Sequence, residues 1–99
     1  MAKRSKNVDQ ASRGRIVEYR FYYDGNPAAK AVFVAGDFNG WDPLADRMVK
    51  RNGTFCKRIR LEPGEYQFKF VVDGEWMADP AADAQVVNSF GSQNSVLHL

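Results

Sequence analysis

The sequence predicts an all-β fold, namely a single-domain antiparallel β-sandwich of the immunoglobulin-like kind. Three observations lead to this prediction: short segments in which apolar and polar residues alternate, clusters of turn residues between them, and no convincing helical pattern. The chain has 99 residues, of which 44% are hydrophobic, so it can bury one modest core. The (β/α)8 barrel, which needs roughly 200 residues or more, is excluded.

Apolar patterning predicts the first two strands. From residue 15 onward apolar and polar side chains alternate, and one face carries Val17, Tyr19, Phe21 and Tyr23. A turn with the sequence Asp-Gly-Asn-Pro follows at residues 24–27. Residues 31–35 form a second, nearly all-apolar run, which we predict to be a central strand of a sheet.

The segment 36–43 is dense in turn residues and is predicted to be a tight surface turn. Its Asn-Gly pair favours backbone conformations with positive φ, so Trp41, which directly follows that pair, should be presented at the surface. Residues 44–48 fit either a short strand or a single helical turn, and residues 51–53 form another turn.

The second half of the chain contains four further predicted strands. They span residues 54–61, 66–72, 75–77 and 94–99. The second of them alternates, with Phe68 and Phe70 on one face and Lys69 on the other, and ends at an Asp-Gly turn that leads into a hairpin. Residues 79–88 are predicted to be a loop, and the last strand is predicted to lie at the edge of its sheet.

The charge of the chain is unevenly distributed. Residues 1–15 carry five bases and one acid, a net charge of +4, whereas the whole chain has a net charge of +2. We therefore divide the chain into a basic leader, residues 1–14, predicted to be disordered, and a folded module, residues 15–99. Because the leader lacks interleaved aromatic residues, a solvated tail is favoured over a nucleic-acid-binding arm.

Several classes of protein and site are disfavoured by the sequence. No stretch approaches the roughly 20 apolar residues of a membrane span, and the charged N-terminus lacks the apolar run of a signal peptide, so we expect a cytoplasmic protein without a membrane partner. Cys56 and His98 are the single cysteine and histidine, which leaves no disulfide, no thiolate cluster and no histidine pair. We expect neither a metal nor another cofactor.

Aromatic residues at turns are the most informative candidates for a functional site. Trp41 follows one tight turn and Trp76 follows the Asp-Gly turn of the predicted hairpin. The C–H face of a glucose ring that lies flat on an indole removes apolar area from water, while donors and acceptors such as Lys69 and Asn94 bind its hydroxyls. Each residue also has an ordinary interpretation, because tryptophans often fill a core and a lysine on the outer face of a strand is often a solvated charge.

Four segments of the sequence match, in order and spacing, a known family of binding domains. They are Val-Phe-Val-Ala-Gly-Asp-Phe-Asn-Gly-Trp at 32–41, Leu-Glu-Pro-Gly-Glu-Tyr-Gln-Phe-Lys-Phe-Val-Val-Asp-Gly-Glu-Trp at 61–76, Asp-Pro at 79–80, and Gly91 with Asn94. Their combination resembles carbohydrate-binding module family 48, the glycogen-binding domain of the AMP-activated protein kinase β subunit and of branching and debranching enzymes such as isoamylase. The resemblance covers residues 15–99.

This resemblance implies a non-catalytic β-sandwich that binds α-1,4-linked glucan by stacking and hydrogen bonding. The binding positions of the family are two tryptophans after turns, a strand lysine, and an apolar residue, a hydroxyl residue and an asparagine in a late loop. In this sequence they correspond to Trp41, Trp76, Lys69, Phe90, Ser92 and Asn94. Phe90 replaces the more usual leucine and Ser92 replaces threonine, and both replacements keep the chemistry.

Two other functions stay open at this stage. The carboxylates lie almost all in turns, and no cleft that holds two of them about 5 to 9 Å apart can be inferred, so a glycoside hydrolase is disfavoured. The other function is a structural or protein-interaction module that docks onto a kinase subunit or a glucan-active enzyme and has little sugar affinity of its own. Binding of soluble α-glucan by the isolated chain distinguishes a glucan-binding module from such a docking module.

Overall fold

The computed structural model describes residues 15–99, which form two antiparallel β-sheets and contain no α-helix. The strands are β1 (Val17–Tyr23), β2 (Val32–Gly36), β3 (Val49–Arg51), β4 (Thr54–Leu61), β5 (Glu65–Val72), β6 (Glu75–Met77), β7 (Ala84–Val87) and β8 (Gln93–His98), with one 3-10 turn at Asp37–Asn39. This architecture confirms the predicted all-β, immunoglobulin-like sandwich. The predicted basic leader, residues 1–14, lies outside the described residues.

A three-stranded sheet, with the order β1-β4-β3, forms one layer of the sandwich. β1 pairs with β4 over the whole length of β1, from Val17 opposite Leu61 to Tyr23 opposite Phe55. The predicted alternation on β1 is confirmed, because Phe21 and Tyr23 are buried whereas Glu18, Arg20 and Tyr22, on the other face, are exposed. One face of this sheet therefore covers the core and the other faces solvent.

A five-stranded sheet forms the second layer, with the order β2-β5-β8-β7 and with β6 paired to β5. The hairpin between β5 and β6 turns at Asp73 and Gly74, which have φ values of 48° and 88°, as the predicted Asp-Gly turn requires. The Asp73 carboxylate also accepts hydrogen bonds from the backbone N–H groups of Lys30 and Ala31, both at 2.9 Å. This contact fixes the start of β2 beside the hairpin.

Aromatic side chains from the two sheets meet in the core. The rings of Phe21 and Phe68 have centroids 5.1 Å apart, and those of Tyr23 and Phe70 are 5.3 Å apart. Both pairs have the inclined geometry that aromatic rings prefer. Complete burial of a side chain such as Phe70 stabilises the fold by about 1.5 to 3 kcal/mol.

The prediction that β2 is central to its sheet is wrong. Among the strands of residues 15–99, β2 pairs with β5 alone and ends the sheet. Its other edge is covered by chain 46–48, since the Val34 N–H donates to the Asp46 carbonyl at 3.0 Å and the Met48 N–H to the Val32 carbonyl at 2.7 Å. A run of apolar residues indicates that both faces of a strand are buried. It does not indicate how many neighbouring strands pair with that strand.

The placement of the last strand at a sheet edge is also wrong, because β8 lies between β5 and β7. β7, at residues 84–87, falls in the segment that was predicted to be a loop; it has only four residues and a weak apolar pattern. β3 was likewise not predicted, since its three residues are all exposed.

No helix of this part of the chain is long and apolar enough to cross a membrane.

Candidate functional site

An open groove of about 620 Å³ lies on the face of the five-stranded sheet that points away from the core. All six residues predicted to form the site line this groove. They are Trp41, Lys69, Trp76, Phe90, Ser92 and Asn94. Gln67 and Lys69 come from β5, Trp76 from β6 and Asn94 from β8, and the remaining wall comes from the turn after β2 and the loop between β7 and β8. The fold thus assembles one site from three separate parts of the sequence.

The turn after β2 is held by the side chain of Asn39. The Asn39 oxygen accepts a hydrogen bond from the Gly36 N–H at 3.0 Å, and its amide donates to the Val34 carbonyl at 3.0 Å. Gly40 and Trp41 then take positive φ values of 68° and 60°. A bulky residue adopts this conformation only where its surroundings impose it, so the backbone of Trp41 is held in place by the turn.

Asp37 fixes the indole of Trp41. The indole N–H donates to Asp37 Oδ1 at 3.0 Å, and the backbone N–H of Gln67 donates to Asp37 Oδ2 at 2.7 Å. Because the carboxylate bridges the turn and β5, the ring has a defined orientation and its N–H is already paired. The faces of the indole are therefore the part of Trp41 that is suited to contact a ligand. Sequence reasoning had treated Asp37 only as a turn residue.

Trp76 provides a second aromatic surface beside the first. It is 45% exposed, and its ring centroid lies 6.5 Å from that of Trp41, with 32° between the ring planes. This exposure shows that the core does not require Trp76, which removes the ordinary interpretation of a core tryptophan. Because the two ring planes are inclined, they suit a ligand whose own rings are inclined to one another better than they suit a flat ligand.

Lys69 is buried, so the ordinary interpretation of a solvated charge is wrong. Its side chain projects from the middle of β5, is 7% exposed, and donates to Ser92 Oγ at 3.0 Å. In the described part of the chain, no carboxylate lies within 4.0 Å of its ammonium group. A buried ammonium has three donors and is costly to leave unpaired, so Lys69 is prepared to donate to acceptors that enter the groove.

The loop between β7 and β8 is organised by Asn88, which sequence reasoning had not selected. Its amide donates to Ser92 Oγ at 2.8 Å and to Asn94 Oδ1 at 2.9 Å. Its oxygen accepts from the backbone N–H groups of Phe90 at 2.9 Å and Ser92 at 3.2 Å. One side chain thus positions Phe90 and Ser92 in the loop and Asn94 on the adjoining strand β8.

The hydroxyl of Ser92 is oriented by its partners. Its oxygen accepts hydrogen bonds from both Lys69 and Asn88, and these two bonds occupy both of its lone pairs. The hydroxyl hydrogen must then point away from both partners. Ser92 therefore presents a donor to the groove.

Phe90, in the middle of this loop, and Asn94, on β8 just after it, differ in how firmly they are held. Phe90 is 91% exposed, an unfavourable environment for a side chain that is wholly apolar. Asn94 on β8 donates to Gln67 Oε1 at 3.0 Å, so its amide is fixed against β5. The pair gives the groove one freely exposed aromatic ring and one preoriented amide.

The groove does not have the features of a hydrolase or a metal site. Asp37 is the one carboxylate among the described residues that line it, and both of its oxygens already accept hydrogen bonds. Glycoside hydrolysis requires a pair of carboxyl groups, of which one is protonated. Residues 15–99 contain no group of three or more His, Cys, Asp or Glu side chains that could hold a metal ion.

Comparisons with known proteins show what this chain is similar to. A family model described as the glycogen recognition site of AMP-activated protein kinase matches residues 17–99. Protein PTST homolog 2, chloroplastic, of Arabidopsis thaliana is 33% identical over 96 residues, which are 96% of this chain and 18% of that protein. The 5'-AMP-activated protein kinase subunit beta-2 of Mus musculus is 36% identical over 93 residues, 94% of this chain and 32% of that protein.

A solved structure supports the fold. Part of a maltogenic amylase from S. marinus superimposes with a TM-score of 0.62 and 25% sequence identity, over 89% of this chain and 14% of the amylase chain. This chain therefore spans less than a third of the length of each of the three relatives described here.

Proposed function

This chain belongs to the family described as the glycogen recognition site of AMP-activated protein kinase, and from that premise we propose that its groove binds α-1,4-linked glucan such as glycogen, starch or maltooligosaccharides. The family is a carbohydrate-binding module, which confirms the prediction of a non-catalytic domain. The observation that carries the proposal is the groove itself, in which two indoles 6.5 Å apart stand beside a buried lysine.

The two indoles supply the apolar part of the binding energy. A glucose ring stacked on Trp41 or Trp76 removes ~50 to 100 Å² of apolar surface from water, which at about 25 cal/mol per Å² contributes about 1 to 2.5 kcal/mol. An α-1,4-linked chain curves, so its successive rings are inclined to one another. The 32° between the two indole planes matches a curved chain better than a flat ribbon.

Polar groups of the groove orient the bound sugar chain. The Lys69 ammonium and the Ser92 hydroxyl offer donors, and the Asn94 amide has one N–H and one lone pair left after its contacts with Gln67 and Asn88. Phe90, at the rim, extends the apolar surface or inserts beside the sugar chain. These few exposed contacts favour a modest affinity, with a Kd of about 10 µM to 1 mM for a single site.

Titration of the full chain with β-cyclodextrin or maltoheptaose, followed by tryptophan fluorescence, tests this proposal. We expect saturable binding, because both platforms are tryptophans and stacking changes their environment. A β-1,4-linked cello-oligosaccharide of the same length is the matched control, since it offers the same rings and hydroxyls in an extended ribbon. No response to α-glucan at millimolar concentration, or an equal response to the control, would contradict the proposal.

Asn88 is expected to matter for glucan binding without contacting the core. Asn88→Ala removes four hydrogen bonds that position Phe90, Ser92 and Asn94. We expect the affinity for β-cyclodextrin to fall about 5- to 20-fold, equivalent to about 1 to 2 kcal/mol, as measured by titration calorimetry. Gln93→Ala, at an exposed position at the start of β8 that does not line the groove, is the control and should bind as the original chain does. Unchanged affinity in Asn88→Ala would show that the loop does not depend on this residue.

Partners of the whole protein follow from the same family membership. Because relatives include a kinase subunit and the fold neighbour is part of an amylase, we extend the proposal to a module that places a kinase or a glucan-metabolising enzyme on its polysaccharide. A cytoplasmic location stays a prediction.

A further inference from the structure

The solvent-exposed face of the three-stranded sheet carries an unusual number of arginines. We define it as the basic face, made of Arg20 and Tyr22 on β1, Val49 and Arg51 on β3, and Arg58 and Arg60 on β4. The register places these side chains together, because Tyr22 and Val49 both lie opposite Cys56, and Arg20 lies directly opposite Arg58. The glucan groove lies on the other sheet of the sandwich, so the two surfaces are separate.

The charges of the basic face are only partly compensated within the described chain. Arg20 and Arg58 face each other across the strand pair, an arrangement that weakens pairing between strands. Glu18 is the acidic residue of this face, and it makes an exposed ion pair with Arg58 at 3.7 Å. Four guanidinium groups against one carboxylate leave a net charge of +3 on a surface whose fold requires no charge at these positions.

Apolar groups stand among these charges. Tyr22 is 55% exposed and Val49 is 54% exposed. A concavity of about 420 Å³ opens beside Val49 and is lined by the arginines at 20, 51 and 58. Arginine and tyrosine are the residue types that are enriched at protein interfaces, where a planar guanidinium pairs with carboxylates in a bidentate manner.

We propose that the basic face binds an acidic polypeptide segment that also carries apolar side chains. Carboxylates of the partner pair with Arg20, Arg51 and Arg58, and an aromatic or aliphatic side chain enters the concavity beside Val49. A nucleic acid fits less well, because Tyr22 is the one aromatic ring on this face and stacking on several rings is what such binding uses. The inference does not depend on glucan binding.

A fluorescently labelled random copolymer of glutamate and tyrosine is a suitable probe. Its fluorescence anisotropy is measured at low salt as the full chain is added. We expect binding, and an affinity at least tenfold lower for Arg20→Glu/Arg58→Glu. Lys3→Glu/Lys6→Glu is the matched control, because it changes the net charge by the same amount but lies in the leader. This control should retain most of the affinity. A larger loss in the leader variant would assign binding to the leader and overturn the proposal.

Further measurements distinguish the proposed contact from loss of the fold, from purely electrostatic attraction and from nucleic-acid binding. The neutral variant Arg20→Gln/Arg58→Gln should also lose affinity for the copolymer. Both arginine variants should keep the melting temperature and the β-cyclodextrin response of the original chain, because neither the core nor the groove is changed. Polyglutamate should bind more weakly than the copolymer, because it offers nothing to the concavity. Equal binding of polyglutamate, or tighter binding of a single-stranded oligonucleotide at the same salt, would overturn the assignment to an acidic polypeptide with apolar side chains.

Discussion

Replacing Trp41 and Trp76 together with alanine is expected to abolish measurable binding of β-cyclodextrin. Each indole is expected to contribute about 1 to 3 kcal/mol, as buried aromatic residues do at binding sites. A joint loss of about 3 kcal/mol raises a Kd of about 100 µM above 10 mM. Because the double variant has lost both tryptophans, titration calorimetry or co-sedimentation with glycogen replaces fluorescence as the measurement.

The single variants and a matched control locate the effect. Trp41→Ala and Trp76→Ala should each lower the affinity about 5- to 150-fold and leave the melting temperature almost unchanged, since neither ring fills the core. Tyr22→Ala removes an aromatic side chain of similar exposure from the opposite sheet and should bind β-cyclodextrin normally. Undiminished binding in the double variant would place the ligand elsewhere, and unfolding of either single variant would contradict the surface placement of these rings.

Alternation and turn chemistry made most strands predictable from the sequence. On β1 the alternation is strict enough to identify Phe21 and Tyr23 as core residues. The Asp-Gly pair at 73 and 74 specified the hairpin, because both positions need positive φ. By contrast, the three exposed residues of β3 and the four of β7 leave no periodic pattern, and their pairing depends on neighbours far away in the chain.

Part of the site could be predicted from the chemistry of single residues, whereas Phe90 and Ser92 were predicted from the family resemblance alone. Trp41 and Trp76 were recognisable because aromatic residues follow turns there. The roles of Asp37 and Gln67 depend on a contact between the turn after β2 and β5, 30 residues apart, which no local pattern encodes. Asn88 did leave a local signal, since an asparagine whose side chain accepts from the backbone N–H two residues later is typical of turns.

The burial of Lys69 shows how the fold turns a common surface residue into part of a site. Alternation on β5 indicated only that Lys69 lies opposite the core face. The loop between β7 and β8 then folds over the middle of β5, and the Ser92 hydroxyl oxygen accepts a hydrogen bond from the Lys69 ammonium. The charge is buried by a loop whose position is set by β7, a strand that the sequence did not predict.

A second large effect is expected from Gly36→Ala, at the junction of β2 and the turn that carries Trp41. A Cβ at this position would lie 2.5 Å from the Gln67 carbonyl oxygen, which belongs to the backbone of β5. Gly36 has φ of −171°, an extended conformation that alanine adopts freely, so the cost is steric. We expect a loss of about 3 kcal/mol, because β2 and β5 must separate at Gly36 opposite Phe68.

Thermal unfolding measures this loss, and a second glycine separates its cause. For a domain of this size about 3 kcal/mol corresponds to a decrease in Tm of about 12 to 24 °C. Gly53→Ala is the control: its Cβ would meet no atom within 4 Å, but its φ of 82° is unfavourable for alanine, which costs about 1 to 2 kcal/mol. A decrease for Gly36→Ala no larger than that for Gly53→Ala would show that β2 and β5 relieve the contact at a smaller cost than we expect. A clearly larger decrease means that close contact between β2 and β5, which also sets the bond from Gln67 to Asp37, is what holds the Trp41 platform in place.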